Sequence, residues 1–538
     1  MREAASFINA NSRWEFTKGL QLLLASPWLL LIIAAYLLLG LGAVPLFDLD
    51  EGAFSAATME MLQRGDYVTT YMGGELRFDK PILIYWLQAL SVSNFGLNEF
   101  ALRLPSAICA SLWCAAVWFF VRTQLDASRA GTAVILLASS LVFSMIARAA
   151  TADALLNLFI CLALFDAYRA LTVEEFAARK IRLRAYLWVG LGVLAKGPIA
   201  ILLPVAISTL FSVFTGNWRA WWRLMFNPLG WLLASVIFVP WYVAEYLAQG
   251  QAFIDGFILK HNLSRFSSTM EGHGGHWYYY LPVSLLVFMP ASGFFVQLMI
   301  SLRKHALSPL DLFCWCWFGF VWVFFSFSNT QLPHYLLYGA TPVFILMARQ
   351  REQLKNIWVV VIPACMFLLL FLCLPEIAAQ QIATSKKVEL VAMLQTGLPY
   401  LDMTYRLTLA IALLSIILVS CWRSLPLWQR QLWVSVIFTI SFVHSILPAY
   451  GAIQQQPVRA AAEFARHLPQ TPVMWRHDMP SFSVYLGKVV EIRTPQMGEW
   501  VFTGLDQRKN LPEHELLFNQ GGVIIAQLIK PFARAKEL

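Results

Sequence analysis

Apolar positions along this chain run continuously for long stretches, with the polar ones gathered into short segments between them. A helix needs roughly 20 apolar residues to cross the hydrocarbon core of a bilayer. Candidate spans fall at 27–47, 100–121, 130–147, 151–171, 185–196, 198–214, 229–247, 277–300, 312–328, 335–348, 357–375, 405–421 and 431–449. The stretch 185–214 has to hold two short spans. Residues 81–95 form a shorter amphipathic stretch that reads as a helix lying in the membrane interface. The apolar stretch 20–46 reads as a first span and not as a cleaved signal, being too long and lacking a small-residue cleavage site. After residue 450 the pattern changes. A helical run at 458–468 is followed by short β-rich runs at 473–475, 482–486, 488–492, 500–502 and 522–526, the signature of a small α/β domain. The expected organisation is therefore an all-α polytopic membrane region of about thirteen helices over 1–450 and an outer α/β domain over 451–538.

Composition agrees with this pattern. Of 538 residues, 59% are hydrophobic and 13% charged, against roughly 25% charged in soluble domains. This excludes a single water-soluble globule. Continuous apolar runs, in place of alternating ones, exclude an outer-membrane barrel. All eight cysteines lie within apolar runs and none forms a CxxC pair, so neither a zinc cluster nor a disulfide framework is supported.

The net charge of +9 points at first to an anionic partner, but its distribution reports orientation. With the N-terminus in the cytoplasm, the inner segments hold nineteen Lys and Arg. The outer segments before residue 450, although longer, hold eleven. Nucleic acid is not expected as a partner; membrane lipids are.

The remaining polar residues cluster on the outer side: Asp48, Asp50 and Glu51 after the first span; Arg64, Asp66, Tyr67, Arg77, Asp79 and Lys80 further along that loop; Arg148 and Asp153; Lys196; Asn262 and Arg265; His273 and His276; Gln331, His334 and Tyr335. Ionisable groups at membrane depth are expensive and mark functional sites. Six outer junctions carrying them imply one shared outward cavity. Asp48, Asp50 and Glu51 supply carboxylates for general-base work or metal binding. Lys80, Arg148, Lys196 and Arg265 supply cations for a phosphate. A carboxylate facing a cationic clamp is what transfer from a lipid-phosphate donor requires, since the cations stabilise the departing phosphate. Each element also has a plainer reading: Asp48 and Asp50 as solvation of a helix end, Lys196 as a snorkelling lysine, Arg148 and Asp153 as a structural ion pair, His273 and His276 as a solvated pair.

Taken in order, these residues resemble the dolichyl-phosphate-mannose-protein mannosyltransferase superfamily. The similarity is strongest to its bacterial branch, the aminoarabinose transferases of lipid A. It is carried by Asp50, Glu51 and Gly52; Glu60 and Met61; Gly65, Asp66 and Tyr67; Phe78, Asp79, Lys80 and Pro81; Arg148 and Asp153; Lys196, Gly197 and Pro198; Asn262, Ser264 and Arg265; His273 and Trp277; and Gln331, Pro333, His334 and Tyr335. The resemblance implies a GT-C membrane glycosyltransferase of the bacterial inner membrane, using an undecaprenyl-phosphate-linked sugar at the periplasmic face. Asp50, with Glu51 beside it, matches the catalytic aspartate, and Asp153 the second acidic position. Lys80 and Arg265 match donor-phosphate positions. Tyr67, Arg148, Lys196, Gln331, His334 and Tyr335 join them as substrate-binding residues.

Asp79 with His273, or alternatively His276, matches a site for a divalent metal ion (Zn, Mg or Mn). The expected acceptor is lipid A, lipopolysaccharide or another envelope molecule, with a protein acceptor as the nearest alternative and a flippase for a lipid-linked sugar as the rival of another class. Three departures stand out. Asp79 replaces the branch's Glu, Ala53 replaces an Arg three residues after the catalytic Asp, and His273 lies one residue nearer to Trp277.

Overall fold

The computed structural model describes residues 19–264, 275–302 and 307–532. Each of the thirteen expected stretches contains helix. Among the described residues, six helices are long and apolar enough to cross a membrane, or up to nine when each bent pair is taken as one span. The difference from thirteen is one of length. Ala127–Ala138 and Ile199–Thr215 are shorter apolar helices, and Tyr280–Val287 meets Ser292–Ser301 at a 120° bend. The stretch 335–348 divides into a 3-10 turn, Pro333–Gly339, and the ten-residue helix Ala340–Arg349.

Burial follows from position in the bundle. The Asp153–Thr172 window is 83% buried, which makes it the central helix, whereas the Met403–Cys421 window is 28% buried. The latter turns Leu407, Ile411, Leu414 and Leu418 outward, as an apolar surface facing lipid requires. Local chemistry sets the helix ends. Asn98 caps Glu99–Gln124 by accepting from Ala101 N at 2.9 Å. Gly65, at φ +67°, closes Asp50–Arg64. Gly197, at φ +83°, ends Glu175–Lys196, and Pro198 precedes the next helix, so the chain reverses directly after Lys196. The 81–95 stretch forms the helix Leu83–Phe95, which buries Ile84, Tyr85, Gln88 and Ala89 and packs between Asp50–Arg64 and Glu99–Gln124. Trp218–Met225, with Trp218 and Trp222 exposed, is a second amphipathic helix of interfacial type.

One helix, Leu447–Ala465, runs unbroken through position 450 into the C-terminal domain. There a four-stranded sheet has the order Val473–Met474, Trp500–Gly504, Val523–Leu528, His514–Gln520, with the first pair parallel and the others antiparallel. Val458, Ala461, Ala462 and Ala465 of the helix pack with Phe482, Phe502 and Ile525. The 482–486 run, expected as a strand, is the helix Ser481–Leu486, and 488–492 contributes only the bridge from Ile492 to Met474. A five-residue, mostly apolar run is compatible with either state, and packing decides.

At Gly131 an added Cβ would stand 2.2 Å from the Leu24 carbonyl oxygen and 2.6 Å from its Cα, so two backbones meet there. Gly131→Ala is expected to lower stability by roughly 1–3 kcal/mol, read as a lower midpoint of thermal unfolding in detergent. A stabilised variant, as helix propensity alone would give, would contradict this packing.

Candidate active site

The site begins with a buried clamp. Glu51 and Arg103 are both buried and pair twice, Nε to Oε1 and Nη2 to Oε2, each at 2.8 Å. Arg103 spends its other three N–H groups on the carbonyls of Leu41 (3.0 Å), Val44 (2.6 Å) and Pro45 (2.9 Å). Glu51 also accepts from the backbone N–H groups of Phe47 (2.9 Å) and Ala150 (2.7 Å). All five guanidinium donors are therefore used, and both carboxylate oxygens are fully engaged. This corrects the expectation that Glu51 acts beside Asp50 in catalysis: it ties the first outer loop to two other segments.

With that loop fixed, Asp50, the first residue of the Asp50–Arg64 helix, opens onto a cavity of about 320 Å³. Asp48, Arg148, Asp153, His334 and His444 also line it. Its far wall is an ion pair: Lys196 Nζ lies 2.5 Å from Asp153 Oδ1. The Tyr338 hydroxyl stands 2.8 Å from both Lys196 Nζ and Asp153 Oδ1, and His334 Nε2 lies 3.8 Å from Asp153. Behind this wall is a second cavity, about 100 Å³, lined by Asp79, Lys80, Lys196, His261, Tyr335 and Tyr338. Lys196 thus belongs to the cationic cavity while its partner Asp153 belongs to the carboxylate one. The two cavities therefore meet at this ion pair.

Most of the expected residues converge here, and some do not. Asp50, Asp153, Lys80, Arg148, Lys196, His334 and Tyr335 line the paired cavities. Arg148 and Asp153 each find another partner. Arg148 donates to the Tyr36 carbonyl at 2.5 Å and lies over its ring, while Asp153 takes Lys196. Tyr67 lines neither cavity. It is half exposed, and its carbonyl accepts from Trp86. Gln331 is buried and donates to the Ser326 carbonyl at 3.0 Å, which is a loop-closing role. Arg265 and His273 lie outside the described residues. His276 is exposed and stacks on Tyr278.

For the metal, no three His, Cys, Asp or Glu side chains converge as ligands among the described residues. Asp79 already faces Arg77 Nη2 at 3.0 Å and Lys80 Nζ at 2.6 Å, with His261 Nδ1 at 3.2 Å. His273, the expected partner of Asp79 at the metal, lies outside the described residues.

Three residues of the site were not singled out from sequence. Tyr338 shares a face with Tyr335 through the three-residue repeat of the 3-10 turn, a signal that the spacing contains. His261 stands beside Asp79 where a more distant loop histidine was expected. His444, in the π-helical turn Phe442–Ile446 of an apolar helix, carries no local signal at all.

Comparison with known proteins places this geometry in a family context. Residues 79–243 match the family described as dolichyl-phosphate-mannose-protein mannosyltransferase. A relative from Yersinia enterocolitica, an undecaprenyl phosphate-alpha-4-amino-4-deoxy-L-arabinose arabinosyl transferase, is 31% identical over 337 residues, covering 61% of this chain and 59% of that one. The protein of the same name from Aeromonas salmonicida is 29% identical over 339 residues, covering 61% and 60%. The chain thus aligns with about three-fifths of the length of these curated relatives. The crystal structure of ArnT from Cupriavidus metallidurans bound to undecaprenyl phosphate superposes with a TM-score of 0.78 over 93% of this chain and 97% of that one, at 18% identity. The fold is therefore that of the ArnT structure, a helical membrane bundle with a small C-terminal sheet domain, and the resemblance read from the sequence is matched by the family over residues 79–243.

Removing one member of a buried ion pair strands the other, at a cost of roughly 3–5 kcal/mol. Arg103→Leu is expected to lose about that much stability in denaturant or thermal unfolding; a loss below about 1 kcal/mol would show that the clamp is dispensable. Asp48, outside the spans, supplies a pH prediction. Burial pushes its carboxyl up to about 7, and the nearby Asp478 and Glu51 push the same way, while hydrogen bonds from Ser481 pull it down. The folded state therefore holds this proton more tightly than the unfolded chain, whose Asp titrates near 4. Stability from this group is greatest at low pH and falls as pH rises from about 4 to about 7. The thermal midpoint of Asp48→Asn relative to wild type is expected to rise across that window and level off above it. A difference independent of pH would refute the assignment.

Proposed function

We propose that the protein transfers a sugar from an undecaprenyl-phosphate-linked donor to lipid A, lipopolysaccharide or another envelope acceptor at the periplasmic face of the bacterial inner membrane. The observation that carries this reading is the paired cavity: an open carboxylate, Asp50, on one side of the Asp153–Lys196 wall, and Lys80, Lys196, Tyr335 and Tyr338 on the other. The relatives' names supply the class of donor. The positive-inside distribution supports a cytoplasmic N-terminus and a periplasmic C-terminal domain.

In this reading the lipid-linked phosphate sits in the cationic cavity, where Lys80 and Lys196 face its oxygens. The acceptor oxygen enters from the Asp50 side and attacks the anomeric carbon. The bond from that carbon to the phosphate oxygen breaks, and the polyprenyl phosphate leaves with the electron pair. The acceptor proton passes to the Asp50 carboxylate. Asp153 holds the Lys196 ammonium at the boundary between the two, where negative charge grows on the leaving group. A single displacement inverts the anomeric centre.

Asp50→Asn keeps the shape and removes the base. With purified full-length protein, a polyprenyl-phosphate sugar and envelope lipid as acceptor, transfer is expected to fall at least about a hundredfold while donor binding changes by less than about threefold. Near-normal transfer by Asp50→Asn would overturn the assignment.

A further inference from the structure

The helix that presents Asp50 starts from an unusual backbone. Leu49, immediately before it, has φ 31° and ψ −46°, a region that non-glycine residues avoid. Its side chain is 61% exposed, so its own packing does not demand that conformation. Strain of this kind persists only where surrounding contacts over-determine it. On one side the contact is the Glu51–Arg103 clamp. On the other it is the C-terminal region. Asp48 Oδ1 accepts from the Ser481 backbone N–H at 2.7 Å, and Oδ2 accepts from the Ser481 hydroxyl. The Gln455 amide, its nitrogen turned toward Asp48, lies 3.0 Å from Oδ2. Both oxygens of Asp48 are thus held by residues more than 400 positions away.

Gly52 makes the approach possible. A Cβ there would stand 2.8 Å from Ser481 N and overlap Asp48 Oδ1. The contact extends beyond these groups. The Tyr485 hydroxyl accepts from Leu46 N at 2.7 Å, Gln63 donates to the Gly487 carbonyl at 3.0 Å, and Val484 packs with Leu46, Ala56 and Leu102.

We propose that the C-terminal domain acts in the reaction as a positioning element: Ser481 holds Asp48, and Asp48 fixes the turn at 48–52 from which Asp50 reaches the cavity. Asp48 is a positioning residue that works through Asp50, and this rests on the reading of Asp50 as the reacting carboxylate. The domain is then part of the catalytic geometry, although it lies outside the residues 79–243 that match the family.

The test uses full-length protein in lipid nanodiscs, as wild type, Ser481→Ala, Gly52→Ala and the conservative Ser481→Thr. Two quantities are read: backbone amide hydrogen exchange over 46–53, and kcat and KM for a polyprenyl-phosphate sugar. In Ser481→Ala and Gly52→Ala, exchange over 46–53 is expected to accelerate at least about tenfold while the central Asp153–Thr172 helix keeps its protection. Over the same pair kcat is expected to fall at least about tenfold with KM within about threefold, and Ser481→Thr to recover most of the loss. Gly52→Ala is informative in sign, because alanine favours helix and would tighten this turn if only local propensity mattered. Exchange and kcat within about twofold of wild type in both variants would overturn the proposal, as would a kcat loss matched by a rise in KM, which marks direct substrate contact. Accelerated exchange in a protein whose wild type transfers no sugar would uphold the mechanical link and overturn the transferase reading instead.

Discussion

The buried pair of Arg103 and Glu51 is the contact on which the outer face of this molecule depends. An isolated charge at that depth would be untenable. A guanidinium with all five donors used and a carboxylate accepting from four groups is both stable and directional. Through it the loop after the first helix, the Glu99–Gln124 helix and the segment before Asp153 are fixed to one another. Asp50 lies one residue from the clamp, and Asp153 three residues beyond its Ala150 anchor. The two carboxylates of the site are held from a single point.

The same requirement shapes the rest of the site. Asp153 is retained by Lys196 and Tyr338, and Asp79 by Arg77 and Lys80. Because the Asp153–Lys196 pair forms across the boundary between the two cavities, pairing sorts the charges. One side keeps an open carboxylate and the other an excess of ammonium groups. An anion leaving from the cationic side meets preorganised charge, which is the electrostatic arrangement that stabilises a departing phosphate without reorganisation. The Arg148 guanidinium, packed on Tyr36 with His444 close by, lines the carboxylate side only.

Much of this was legible in the sequence, for a physical reason. A membrane makes every outer-side charge costly, so Asp50, Lys80, Arg148, Asp153 and Lys196 stand out from an apolar background, and all five line the paired cavities. The helices were legible from their apolar runs. What escaped depended on partners distant in sequence. Glu51 looks catalytic beside Asp50 until Arg103, 52 residues on, is seen to occupy it. Gln331 looks like a substrate ligand until its bonds to the preceding turn appear. His444 is an ordinary residue of an apolar helix until the π-helical turn brings it to the cavity. The short helix Ser481–Leu486 reads as a strand because so short a run carries no period, and its docking on the Asp50–Arg64 helix decides its form.

The division of the site into a carboxylate side and a phosphate side is tested most directly by locating a bound polyprenyl phosphate in the full-length protein by electron cryomicroscopy in nanodiscs. The expected result is phosphate density between Lys80 and Lys196, against Tyr335 and Tyr338, with the Asp50 carboxylate across the Asp153–Lys196 wall. Phosphate density on the Asp50 side, held by Arg148 and His444, would contradict that division.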